Sequence, residues 1–308
     1  MCLLIAAETL LNTRNSWTGT LVFLFQTAEE TGDGASGMVG DGLYEISGHG
    51  CPIPDIVLGQ HVAPIRAGVV ASKIGPIMSS SDSLKVTIHG RGGHGSMPHR
   101  CIDPIVIASH IVVRLQTIVS RVVPPDEVAV ITVGSIQAGE ADNVIADHAF
   151  FTVNIRTLSE ENRSTVLKHV RKIIETECEA DFCEQPPSIE HHMSLPVTTN
   201  IEHTEARLER TFTQLFGEGF VVAPKSSLAS EDFSILASSV ERPYCFWLFG
   251  GTDPQLWDSS AEQGLLDKLP INHSPQFAPV IRPTLQTGGD AMAAAALTFL
   301  DFWIEGFP

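Results

Sequence analysis

Apolar residues recur along the chain first in runs, then in alternation. Leu3 to Leu11 has the composition of a helix, and Gly19 to Gln26 (GTLVFLFQ) is a continuous apolar run of the kind that forms a parallel strand buried on both faces. A glycine-rich loop (TGDGASG) follows, then a short helical piece around Met38 to Tyr44 and a second buried strand, Asp55 to His61. This order predicts an α/β layer: an open mixed sheet with helices on both faces.

From Ser79 the rhythm changes. Leu84, Val86 and Ile88 alternate as in a half-exposed strand, and Ile105, Ala108, Val112, Leu115 and Val119 then recur at helical spacing. Strands at Val128 to Ile136 and Phe150 to Arg156 come next, then a helix from Ser159 with Val166, Val170, Ile173 and Ile174 on one face. A closing strand near Pro187 to His192 completes a ferredoxin-like β-α-β-β-α-β motif, an α+β domain inserted into the larger one. The expected divisions are 1–78, 79–189 and 190–308. In the last, an amphipathic helix (Ile201 to Phe216), strands at Phe220 to Ala223 and Tyr244 to Phe249, and a helix from Thr284 to Trp303 resume the α/β layer.

Charge narrows the function classes. With 19 bases against 36 acids the formal net charge is −17, a field that repels phosphate backbones and anionic membrane surfaces, so neither nucleic acid nor membrane is an expected partner. The apolar segment Ile105 to Val123 is interrupted by His110, Arg114, Gln116 and Arg121 and reads as a packed helix. The six cysteines form no CxxC pair, and no basic stretch precedes the apolar start, so the expectation is a reducing, cytoplasmic location.

Candidate chemistry sits where strands end. Glu29 and Glu30 directly follow GTLVFLFQ, where open α/β sheets place ligand sites. Adjacent side chains there point apart, so one carboxylate can hold a cation while the other takes a proton from water; alone, the pair reads equally as an exposed acidic patch. His61 closes the second strand, and His273 lies in INHSPQF before the last helix; each alone reads as structural, but with Glu30 they make a carboxylate–imidazole donor set. In GRGGHGSMPH the glycines flanking His94 allow close backbone approach and project the imidazole. Asn143 in GEADNVI and Arg156 could anchor a carboxylate by charge-assisted hydrogen bonds. His191–His192 reads as the end of a linker, and Ser230–Glu231–Asp232 as a helix N-terminus. HExxH, GxSxG and GxGxxG contexts are missing, which lowers zincin, serine hydrolase and dinucleotide readings.

In order, QTAEE, GQHVAP, GRGGHGSMPH, AGEADNVI, NIRTL, ASEDF and INHSPQF resemble the successive blocks of the metal-dependent aminoacylase and amidohydrolase family, which includes hippurate hydrolase, N-acyl amino acid amidohydrolases and indole-acetic-acid amino acid hydrolases. The resemblance implies a catalytic α/β domain with two divalent metals, zinc or manganese, and a ferredoxin-like lid through which many members form homodimers. It implies Glu29 as general base, Glu30, His61 and His273 as metal ligands, His94 as oxyanion stabiliser, and Asn143 and Arg156 as holders of the substrate carboxylate. The histidine in GQHVAP favours the amidohydrolase branch over the peptidases.

The family also carries a CGHDxH-like block with two further ligands before the helix that here reads MCLLIAAETLL, and this chain starts after the position of that block. The expectation is therefore an N-acyl amino acid amidohydrolase with weak or lost metal binding at one of its two positions. Competing readings are an inactive truncated form, a dimeric binding protein that keeps the lid's pairing surface, and a metallo-dipeptidase with the same ligands.

Overall fold

The computed structural model describes residues 1–302 and divides the chain into two compact units. One comprises residues 1–77, 198–226 and 232 onward; the other comprises 78–197 and 227–231. Both are built of sheet and helix, a mixed α/β architecture.

In the first unit four strands lie side by side in the order Phe220–Val222, Val70–Ser72, Tyr244–Thr252, Val57–Arg66. The two outer pairings are parallel and the central one antiparallel, so the sheet is mixed. Tyr244–Thr252 is apolar on both faces because both are covered. Cys245, Trp247 and Phe249 pack with Leu208 and Phe212 of the helix Glu202–Phe216 and Ala291 and Ala295 of Thr284–Phe299. On the opposite face Phe246 meets Phe233, with ring centroids 5.2 Å apart. The first helix, Cys2–Asn12, packs Ala6 and Leu10 on Ala293 and Ala296. The last helix ends at Phe299; Trp303 lies outside the described residues.

Three expectations are corrected in this unit. Gly19 to Gln26 enters no strand: Leu21 and Phe23 pack against the Ala6–Leu10 cluster, while Val22 and Phe25 remain 46% and 61% exposed. A run apolar on both faces needs a neighbouring strand to join a ladder, and none of the described residues supplies one. The second strand does not stop at His61 but runs to Arg66, with His61 paired to Leu248. Pro64 is tolerated because the register shifts across from it, between Gly250 and Thr252. The short helix starts earlier than expected, at Gly34–Gly40, inside the glycine-rich stretch.

The second unit is a four-stranded antiparallel sheet in the order Ser188–Leu195, Ser81–His89, His148–Thr157, Ala129–Ala138. The helices Pro104–Arg121 and Glu160–Ala180 supply Ile107, Ile111, Leu115, Val166, Val170 and Ile174 to a core with Leu84, Val86, Phe151 and Val153. Asp103 and Ser159 cap the two helices through their side chains. The unit runs to Val197, and its closing strand to Leu195. His191 is therefore not linker: its Nε2 lies 2.8 Å from the buried Asp82 carboxylate, which Arg163 also grips with two hydrogen bonds. Among the described residues, no helix is long and apolar enough to cross a membrane.

Candidate active site

Glu29 and Glu30 open a single 3-10 turn, Glu29–Thr31. Ala28 before it and Gly32 after it both hold left-handed backbone, at φ 52° and 71°. That conformation is costly for alanine, and the Thr31 hydroxyl helps hold it by donating to the Ala28 carbonyl at 3.0 Å. The turn is fastened at both ends by Asp232, whose buried carboxylate accepts from the Gln26 side-chain amide and, at 2.9 Å, from the backbone N–H of Ala35. Gly34 sits so close to the returning chain that a Cβ there would lie 1.7 Å from the Thr27 carbonyl oxygen. Asp232 thus caps the helix Gly34–Gly40 from a distant segment rather than its own helix, which corrects the local reading of Ser230–Glu231–Asp232.

His273 reaches the same place. Its Nδ1 lies 3.6 Å from Glu30 Oε2, with both side chains about three-quarters exposed at 76% and 74%. The residue has φ 66°, and its loop is fixed by two turns and by Asn272, whose side-chain amide donates to the Val62 carbonyl at 3.0 Å. The same carbonyl lies 2.6 Å from His61 Nδ1. A carbonyl only accepts, so His61 carries a proton on Nδ1, and in the neutral ring the lone pair is on Nε2. Asn272 and Asp232 are the two positioning residues that reading the sequence missed; polar residues flanking a candidate ligand are the signal that could have found Asn272.

These donors suit a divalent cation in kind. In number they fall short: Glu30 and His273 meet as a pair, and among the described residues no group of three or more His, Cys, Asp or Glu is placed to hold a metal ion. A catalytic zinc site takes three protein ligands. The residues present therefore do not make a complete metal centre, and no chemical step is derived through one.

In the second unit Gly93–His94 pairs antiparallel with Val144–Ile145, and the Gly95 N–H donates to the Asn143 carbonyl at 2.8 Å. His94 and Asn143 are thereby neighbours, both exposed. Arg156 is half-buried, its Nε donating to Asn154 Oδ1 at 3.0 Å and its Nη1 to the Leu228 carbonyl at 2.7 Å. Burial lowers its pKa, and no carboxylate among the described residues lies within ion-pair distance of it. A cation satisfied only by neutral acceptors has capacity left for an anion.

Residues 79–181 match the family described as "Peptidase dimerisation domain". The chain is 35% identical over 232 residues to N-acetyldiaminopimelate deacetylase of Streptococcus sanguinis, covering 75% of this chain and 59% of that protein. It is 35% identical over 246 residues to hippurate hydrolase of Campylobacter jejuni, covering 79% and 62%. Among solved structures it superimposes with a TM-score of 0.71 and 25% identity on a dinuclear metal binding peptidase of the M20 family from Bacillus subtilis, covering 96% of this chain and 69% of that one. The chain is thus similar, over three-quarters or more of its length, to amidohydrolases named for N-acyl amino acid substrates, and it carries a peptidase dimerisation domain at residues 79–181. It spans about three-fifths of the length of the two curated relatives, at 59% and 62%.

Proposed function

We propose that the chain belongs to a hydrolase of the amide bond in N-acyl amino acid conjugates. The observation that carries the reading is the meeting of His273 with Glu30 on the turn that also presents Glu29. Glu29 is the general base: it takes a proton from the attacking water and delivers it to the leaving amine. Glu30, His61 and His273 are proposed as cation donors, for zinc or manganese. His94 is proposed to donate a hydrogen bond to the carbonyl oxygen as negative charge develops on it, while Arg156 and Asn143 hold the substrate's α-carboxylate. The activities for which the relatives are named, deacetylation of N-acetyldiaminopimelate and hydrolysis of hippurate, support an N-acyl amino acid as substrate. The dimerisation domain supports a homodimer formed through residues 79–181.

A second reading, a dimeric binding protein without turnover, is favoured by Glu30 and His273 meeting only as a pair, since no group of three or more His, Cys, Asp or Glu among the described residues is placed to hold a metal ion. One experiment separates the two: hydrolysis of hippurate and N-acetyl amino acids with zinc or manganese titrated in. The first reading expects cation-dependent turnover that Glu29→Gln lowers by about 10²–10⁴-fold while leaving cation affinity intact. Cation binding without turnover on any N-acyl amino acid supports the second.

A further inference from the structure

The loop that carries His94 also decides which ring nitrogen this histidine can offer. The backbone N–H of Ser96 donates to His94 Nδ1 across 3.1 Å, and the Ser96 hydroxyl lies 2.8 Å from the same nitrogen. A backbone amide can only donate, so Nδ1 presents its lone pair, and the neutral ring carries its proton on Nε2. Nε2 has no hydrogen-bond partner among the described residues.

The turn that imposes this is held from several sides. The Met97 N–H donates to the His94 carbonyl at 2.9 Å, closing the loop over Ser96, and the Gly95 N–H is tied to the Asn143 carbonyl. Gly93–His94 is laddered to Val144–Ile145. At Gly92 a Cβ would stand 2.8 Å from the Ile145 carbonyl oxygen, so a larger residue would push the two segments apart. Ser96 therefore meets the ring from a fixed position.

We propose that Ser96 is a positioning residue that locks His94 in the Nε2–H tautomer, so that the ring offers a neutral N–H donor to a developing oxyanion. The proposal rests on the reading of His94 as the oxyanion donor. In the opposite tautomer the Nδ1 proton would face the Ser96 N–H, donor against donor, and the outward lone pair would repel negative charge. A donor fixed before substrate arrives needs no reorientation as charge builds, which is what makes such groups effective.

The test is nitrogen NMR on the full chain with 15N-labelled histidine and serine. The expected results are a scalar coupling between the Ser96 backbone nitrogen and His94 Nδ1, and shifts of an unprotonated Nδ1 and a protonated Nε2. Ser96→Ala keeps the backbone N–H and should keep the coupling. Ser96→Pro removes it; the coupling should vanish, the ring shifts should move toward those of exchanging tautomers, and kcat should fall about 100-fold with KM little changed. A native chain without the coupling, or with a protonated Nδ1, overturns the lock; so does a folded Ser96→Pro variant with native ring shifts. If the proline disturbs the loop, the coupling in the native chain decides alone. Native turnover in His94→Ala, with the coupling present in the native chain, would remove the oxyanion role and leave the tautomer lock standing.

Discussion

Asp232, wholly buried, accepts the backbone N–H of Ala35 on one carboxylate oxygen and the Gln26 side-chain amide on the other. Gln26 precedes the turn that bears Glu29 and Glu30, and Ala35 follows it, so one carboxylate clasps the acidic pair from both sides. Asp232→Ala leaves two donors unpartnered at about 1–3 kcal/mol each, a loss of roughly 2–6 kcal/mol in unfolding free energy. Denaturant unfolding measures that loss. An unchanged midpoint would mean the clasp contributes nothing.

Glu205 gives the protein a pH dependence of unusual sign. It lies in the first turn of Glu202–Phe216, fully buried, and a hydrogen bond with the Ser72 side chain offsets that burial only in part. Burial pushes its pKa from 4.5 up to about 7, and nearby Glu209 adds to the rise. Between those values the folded chain keeps a proton that the unfolded chain has released. The stability this group contributes is thus complete below 4.5 and lost as pH rises through about 7, a change on the order of 3 kcal/mol. Glu205→Gln removes the titration, so thermal unfolding across pH 4–9 should find the variant more stable than the native chain only on the alkaline side. Superimposed curves would refute the assignment.

The buried ion pair of the second unit should be costly to break and cheap to replace. Asp82 is fully buried, and Arg163 grips both its oxygens while also donating to Ser194 and Glu160. Asp82 holds the Arg163 guanidinium above its ordinary pKa through these hydrogen bonds. Arg163→Met leaves a buried carboxylate with only His191 beside it and should cost about 3–5 kcal/mol in urea unfolding. The double change Asp82→Leu with Arg163→Met removes both charges and should cost less than the single one. If the two losses simply add, the pair is not coupled.

What the pattern of residues made legible follows from how local each determinant is. The second unit could be read strand by strand because Leu84, Val86 and Ile88, or Val166, Val170 and Ile174, each declare one buried face within a single element. Gly19 to Gln26 was misread because being apolar on both faces does not specify a ladder partner. Strand length past His61 was misread because Pro64 signals a stop and only the opposite strand's register shift shows that it is tolerated. For the site, residue types were readable and their fastening was not. Asp232 reaches Ala35, and Asn272 reaches Val62, across long stretches of chain.

Arg156 offers the sharpest separation of binding from chemistry. Its guanidinium is held by Asn154 and the Leu228 carbonyl, both neutral, so it is already oriented while its charge is uncompensated. A substrate carboxylate would meet it in both ground and transition state, which makes its contribution uniform binding. Arg156→Ala should therefore raise KM for hippurate on the order of 10- to 100-fold with kcat nearly unchanged, matching the 1.5–3 kcal/mol range of hydrogen bonds to charged groups. Arg156→Lys keeps the charge but loses the planar fork, and should recover part of the affinity. An N-acyl amine without a carboxylate should bind native and variant chains equally. If that neutral compound weakens as much as hippurate does, Arg156 supports the fold of its strand end and not the substrate.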